Sequence, residues 1–129
     1  MLRKAISAAI VLAALTGPAL SKTYVHTPPM GSAERKAIMD AMRAKGDLPN
    51  RIFIVKFLKV SQGWAWLEAD PRSKDGKQSY EPESALLQQT GKAWKVVDQP
   101  CAEESCDADE ELSRIKTGHP EAPAVIFPK

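Results

Sequence analysis

Nine consecutive residues, Ile52-Phe53-Ile54-Val55-Lys56-Phe57-Leu58-Lys59-Val60, hold seven apolar side chains, six of them β-branched or aromatic. A run of this density and length reads as a strand. Strict alternation places Ile52, Ile54, Leu58 and Val60 on one side and Phe53, Val55 and Phe57 on the other. Apolar residues on both sides predict a central strand with both faces covered. Ser61-Gln62-Gly63 is a turn signal, and Trp64 to Ala69 is the returning strand of a hairpin. Trp64 and Trp66 share one face. Trp66, central in its short strand, is expected to be buried, and Trp64, beside Gly63, to be partly exposed.

The flanking patterns complete an α+β domain. Ser32 can cap a helix whose apolar stripe is Ala33, Ala37, Ile38, Ala41 and Met42, with Met39 off the stripe and Gly46 as the stop. Ser84 to Thr90 and Lys92 to Asp98 predict a second hairpin around Thr90-Gly91, and Pro100 ends the sheet. Asp107 with Glu110 three residues on reads as a capping box opening a short helix through about Lys116. Lys22 to Gly31 reads as an extended arm. His119 to Lys129, with three prolines, reads as an extended tail that docks Ile126 or Phe127 into the core. The expected fold is one amphipathic helix packed on a four-stranded antiparallel sheet, with a short C-terminal helix after a cysteine loop. The second sheet face is left either wet or covered by the C-terminal segment.

The first 21 residues read as a secretory signal peptide. Arg3 and Lys4 precede an apolar run from Ala5 to Leu15, a Gly17-Pro18 break, and Ala19-Leu20-Ser21, which suits a signal peptidase. That run is shorter than the ~20 apolar residues needed to span a bilayer, and no cysteine near the junction offers a lipid attachment point. The expected domains are therefore a signal peptide over 1–21 and a single α+β domain over 22–129, periplasmic or secreted, with no membrane anchor. Loss of Arg3 and Lys4 cancels the formal net charge of +2. The remainder is polarised, with 13 basic and 8 acidic residues from Lys22 to Val97, and 3 basic and 8 acidic from Asp98 to Lys129. The lysines are scattered singly, without the basic runs interleaved with aromatics that mark nucleic-acid binders. Nucleic acid is not an expected partner.

Cys101 and Cys106 are the only cysteines. In an exported chain their proximity predicts one disulfide closing a small loop. A zinc half-site or a redox pair would need a second cysteine pair or the C-x-x-C spacing, and neither is present.

Three stretches carry a resemblance. They are Gly31-Ser32-Ala33-Glu34-Arg35-Lys36-Ala37-Ile38, then Val55 to Val60 with Gly63-Trp64-Ala65-Trp66, then Ala85-Leu86-Leu87 with Trp94-Lys95-Val96-Val97. Together they resemble small secreted bacterial proteins of the cystatin-like or NTF2-like α+β roll group. The resemblance covers residues 31–98 and implies a folding pattern, with no catalytic motif.

No local pattern points to catalysis, so no enzyme, cofactor or catalytic residue is expected. His26 and His119 lie in proline-flanked segments expected to be mobile or exposed, a poor setting for general acid–base work. Glu68 and Asp70, at the end of the tryptophan strand, are similar in their pairing to the carboxylates of glycan-processing sites, though a strand end often simply exposes its charges. Asp107 to Glu111 has calcium-loop oxygens at the first positions, but Leu112 and Gly118 stand where glycine and glutamate are required. Met30, Met39 and Met42 with His26 offer a soft-metal set, and no metal is expected there. The candidate binding residues are Trp64, Trp66, Glu68, Asp70 and Arg72. The expected function is a periplasmic or secreted non-catalytic binding or inhibitor module acting by protein contact, with the polar stretch from Asp70 to Pro82 and the disulfide loop as contact elements. The alternative is a small-ligand or envelope-glycan binding roll, with weak hydrolytic activity, whose pocket would be walled by Trp64, Trp66 and Trp94.

Overall fold

The computed structural model describes residues 24–46 and 49–129. The expected signal peptide lies outside them. Helix α1 (Ala33–Gly46) is followed by strands β1 (Ile52–Ser61), β2 (Trp64–Arg72), β3 (Glu83–Thr90) and β4 (Ala93–Asp98), then helix α2 (Ala108–Gly118) and a 3-10 turn at Ala124–Ile126. The four strands form one antiparallel sheet in the order β1-β2-β3-β4. This is the expected α+β architecture, with α1 on one face of the sheet and α2 following the Cys101–Cys106 disulfide.

Local signals start both helices where the sequence puts them. The Ser32 hydroxyl accepts the Arg35 N–H at 3.2 Å, and the Asp107 carboxylate accepts the Glu110 N–H at 2.9 Å. Each bond satisfies a donor that the first turn of a helix leaves open.

Two apolar layers sandwich the sheet. The first joins Ile38, Met39 and Met42 of α1 to Leu58, Val60, Ala65, Leu67, Leu87, Trp94 and Val96. Met39 thus belongs to the helix stripe and is buried, while Ala33 at its start is exposed. The second layer joins Trp64, Trp66 and Leu86 to Ile115 of α2 and to Ala122, Ile126 and Phe127 of the tail. The C-terminal segment therefore covers the second face, and both Ile126 and Phe127 are docked.

Strand β1 departs from strict alternation. A bulge between Val55 and Phe57 inserts Lys56 as an extra residue, so the parity flips along the strand. Phe53 and Val55 consequently pack on the α1 side together with Leu58 and Val60, and Phe57 packs on the other. The two expected side sets are corrected accordingly. Nor is β1 central. It is an edge strand, and its outer side is met by the N-terminal arm at an isolated antiparallel bridge, where His26 and Val60 exchange N–H···O bonds of 2.9 and 2.8 Å. The apolar character of both its faces comes from α1 above and the tail below.

Strand β2 also runs further than Ala69, through Pro71 to Arg72. Proline is tolerated because Pro71 needs to supply only its carbonyl, which accepts the Tyr80 N–H at 3.0 Å. The polar stretch is thereby tied back on itself, with Arg72 bridged to Ser79.

Candidate functional site

Alternation along β2 turns Trp64, Trp66, Glu68, Asp70 and Arg72 to the same sheet face, since Ala65, Leu67 and Ala69 belong to the α1-side core. The row passes through three environments. Trp64 is buried at 8% exposure, with the His119 ring edge-on at a centroid distance of 6.1 Å. The expectation that its position beside Gly63 would leave it partly exposed is corrected: the tail folds back to lay His119 on it. Trp66 is 2% exposed and packs against the Phe127 ring at 5.4 Å. Trp94 lies in the α1-side core, across the sheet from both. The three tryptophans therefore do not wall one pocket.

Beyond Trp66 the row opens into a groove. Its floor is Trp66 and Glu68, joined by an indole N–H to Glu68 Oε1 bond of 3.2 Å. One wall is the disulfide loop at Pro100–Ala102, the other is α2 at Leu112 and Lys116, and Glu83 and Lys129 stand at its ends. The open volume is about 790 Å³. Asp70 and Arg72 lie outside it. Asp70 pairs with Lys56 at 3.5 Å, whereas Arg72 sits at the bridge to Ser79. Glu68 and Asp70 thus have separate partners.

The disulfide loop is held against α2 by a chain of charged contacts. The Cys101 N–H donates to Glu111 Oε1 at 2.6 Å, and Arg114 Nε donates to Glu111 Oε2 at 2.8 Å. Arg114 also reaches both Asp98 oxygens at 3.1 and 3.2 Å, with a further bond to the Gln99 carbonyl. His119 Nε2 is 2.9 Å from Asp98 Oδ2. His119 is thus half-buried and paired with a carboxylate, as is His26, whose Nε2 lies 2.8 Å from Glu34 Oε2. Neither histidine is as exposed as its proline-flanked segment leads one to expect.

Burial pushes the Asp98 carboxyl up, but the hydrogen bonds from Arg114 and His119 outweigh it and hold the group below its usual value. Hydrogen bonds from Arg114 and the Cys101 N–H do the same for Glu111. A carboxyl whose folded pKa lies below its unfolded value contributes stability above the unfolded pKa, near ~4, and loses it as pH falls through the folded one. Unfolding free energy measured in urea is therefore expected to drop between about pH 5 and pH 2. Asp98→Asn should remove part of that slope, and an unchanged slope would show that Asp98 is not held as described.

Asp107 caps α2 and Glu111 holds the loop, so the acidic cluster already has structural partners. Met39 and Met42 lie in the core while Met30 is exposed. Among the described residues no three His, Cys, Asp or Glu side chains converge as metal ligands, and no helix is long and apolar enough to cross a membrane. Sequence reasoning missed Glu111, Arg114 and His119 as the frame of the groove, because their partners lie up to 21 residues away. Compared with known proteins, the chain matches no family model, no curated protein and no solved structure.

Proposed function

We propose that this chain is a periplasmic or secreted, non-catalytic binding or inhibitor module of cystatin-like or NTF2-like type that acts by protein contact. Its contact surface is the end of the sheet that carries the polar stretch and the disulfide loop. The observation that carries this reading is a shared location. Register pairs Ala69 with Glu83 and Leu86 with Asp98, so both excursions leave the sheet at the same end. They flank an open groove, while the three tryptophans are used up in the two cores.

The loop is suited to contact because it is pre-ordered. Its disulfide and the Glu111 and Arg114 bonds fix the backbone before a partner arrives, which reduces the ordering cost of association. The disulfide fits an exported chain, since such a bond persists in an oxidising compartment. Affinity capture from envelope extract tests it, comparing the native protein with Glu103→Lys/Glu104→Lys, both exposed on the loop. A discrete partner retained by the native protein and lost by the variant is expected. Equal capture by both would remove the loop from the contact surface.

A further inference from the structure

The outer edge of β1 is only half covered. The Pro71 carbonyl faces Tyr80 and the polar stretch, so the backbone polar groups of Pro71 point away from β1. Its register partner Phe53 is then a non-hydrogen-bonded pair, and two residues along, so is Val55 opposite Ala69. The N–H and C=O of Phe53 and Val55 therefore face outward. Beyond the Lys56 bulge the outward row continues at Leu58 and Val60, and there it is occupied. Val60 bonds His26 in both directions, and the Leu58 carbonyl accepts the Thr27 hydroxyl at 2.7 Å. Pro28 and Pro29 have no N–H to continue the pairing, and the arm turns away into α1. Among the described residues, no hydrogen-bond partner meets the outward groups of Phe53 and Val55.

That uncovered stretch borders a recess of about 220 Å³ between β1, α1 and the arm, lined by Met30, Met39, Phe53 and Val55. Cations stand at both of its ends. Arg35 is anchored on the Pro28 carbonyl at 3.1 Å, and Arg43 on the Arg51 carbonyl at 2.6 Å, with its guanidinium over the Phe53 ring. Lys36 also lines the recess and is exposed, whereas Lys56 turns to Asp70 on the other sheet face. Arg35, Lys36 and Arg43 thus face one carboxylate, Asp40, while Glu34 is turned to His26. The rim of the edge is cationic.

We propose that the outer edge of β1 at Phe53–Val55 receives an extended acidic segment of a partner protein as an added strand. The partner's main chain bonds the outward groups of Phe53 and Val55, its apolar side chains enter the recess, and its carboxylates meet Arg35 and Arg43. This inference rests on the protein-contact reading and names a second element of that surface, since the start of β1 lies at the same end of the sheet as the polar stretch.

The test is an amide-resolved NMR titration of the isotopically labelled, exported protein with a pool of hexapeptides alternating Glu or Asp with apolar residues. The Phe53 and Val55 amides are expected to shift most and to gain protection from hydrogen exchange. N-methylating alternate peptide amides should weaken binding about ten-fold or more, and the matching Lys-alternating pool should not bind. Peptide binding without shifts at Phe53 and Val55, or no binding at ~1 mM, overturns the proposal. So do edge shifts that grow with protein concentration alone, which would assign the edge to a second copy. If the edge fails in this way while capture still depends on the disulfide loop, only the edge assignment falls.

Discussion

Replacing Trp66 with alanine is expected to lower the unfolding free energy by about 3–5 kcal/mol, a large share of the ~5–15 kcal/mol that a small domain possesses. The side chain lies against Leu86, Ile115 and Phe127 between sheet, helix and tail, so truncation leaves a cavity that three elements must close. It also leaves Glu68 without the indole N–H that it accepts. Trp66→Phe, which keeps most of the volume, should cost far less. Trp64→Ala should be severely destabilising as well, because His119 and the tail cover it. Thermal melts of the two alanine variants measure this. A small loss for Trp64 would mean that the tail does not cover it in solution, which would reopen it as a contact residue.

The second large effect concerns the loop. Converting Cys101 and Cys106 together to serine is expected to cost about 2 kcal/mol by the loop-entropy estimate for so short a ring. The sheet and both apolar layers should survive, because the loop lies outside them. Partner capture is expected to fall more than stability does, since an unclosed loop must be ordered on binding. Denaturant titration and capture on the same variant separate the two effects. Full capture by a serine variant would show that the ring does not shape the contact surface.

The elements of this fold were legible because their signals are local. Ser32 and Asp107 announce helix starts by the donors they satisfy within three residues, and Gly63 and Gly91 mark turns by adopting positive φ. The disulfide was legible from the spacing and the expected compartment. The bulge at Lys56 was not: with apolar residues on both sides of β1, either parity buries the same kind of side chain, so periodicity carries no information about where it flips. The edge position of β1 was hidden for the same reason, because a helix and a tail cover its faces as another sheet layer would.

The site was less legible than the fold. Trp66 and Glu68 were singled out from the strand pattern, and they form the groove floor. Asp70 and Arg72 share their face but lie outside the groove, one side of which is α2, and where α2 packs depends on contacts between segments far apart in sequence. Likewise His119 reads as an exposed group until Asp98, at the end of another element, is brought within 2.9 Å of it. Arg114 is one more helix cation until its fork meets the two oxygens of Asp98.

Site-directed photo-crosslinking in the envelope tests the central claim most directly. A benzophenone side chain is placed at Glu104 in the disulfide loop and, for comparison, at Lys92 in the β3–β4 turn, which is exposed at the opposite end of the sheet. The account predicts one discrete protein adduct from Glu104 and none from Lys92. Equal adducts from both positions, or an adduct from Lys92 alone, would contradict it.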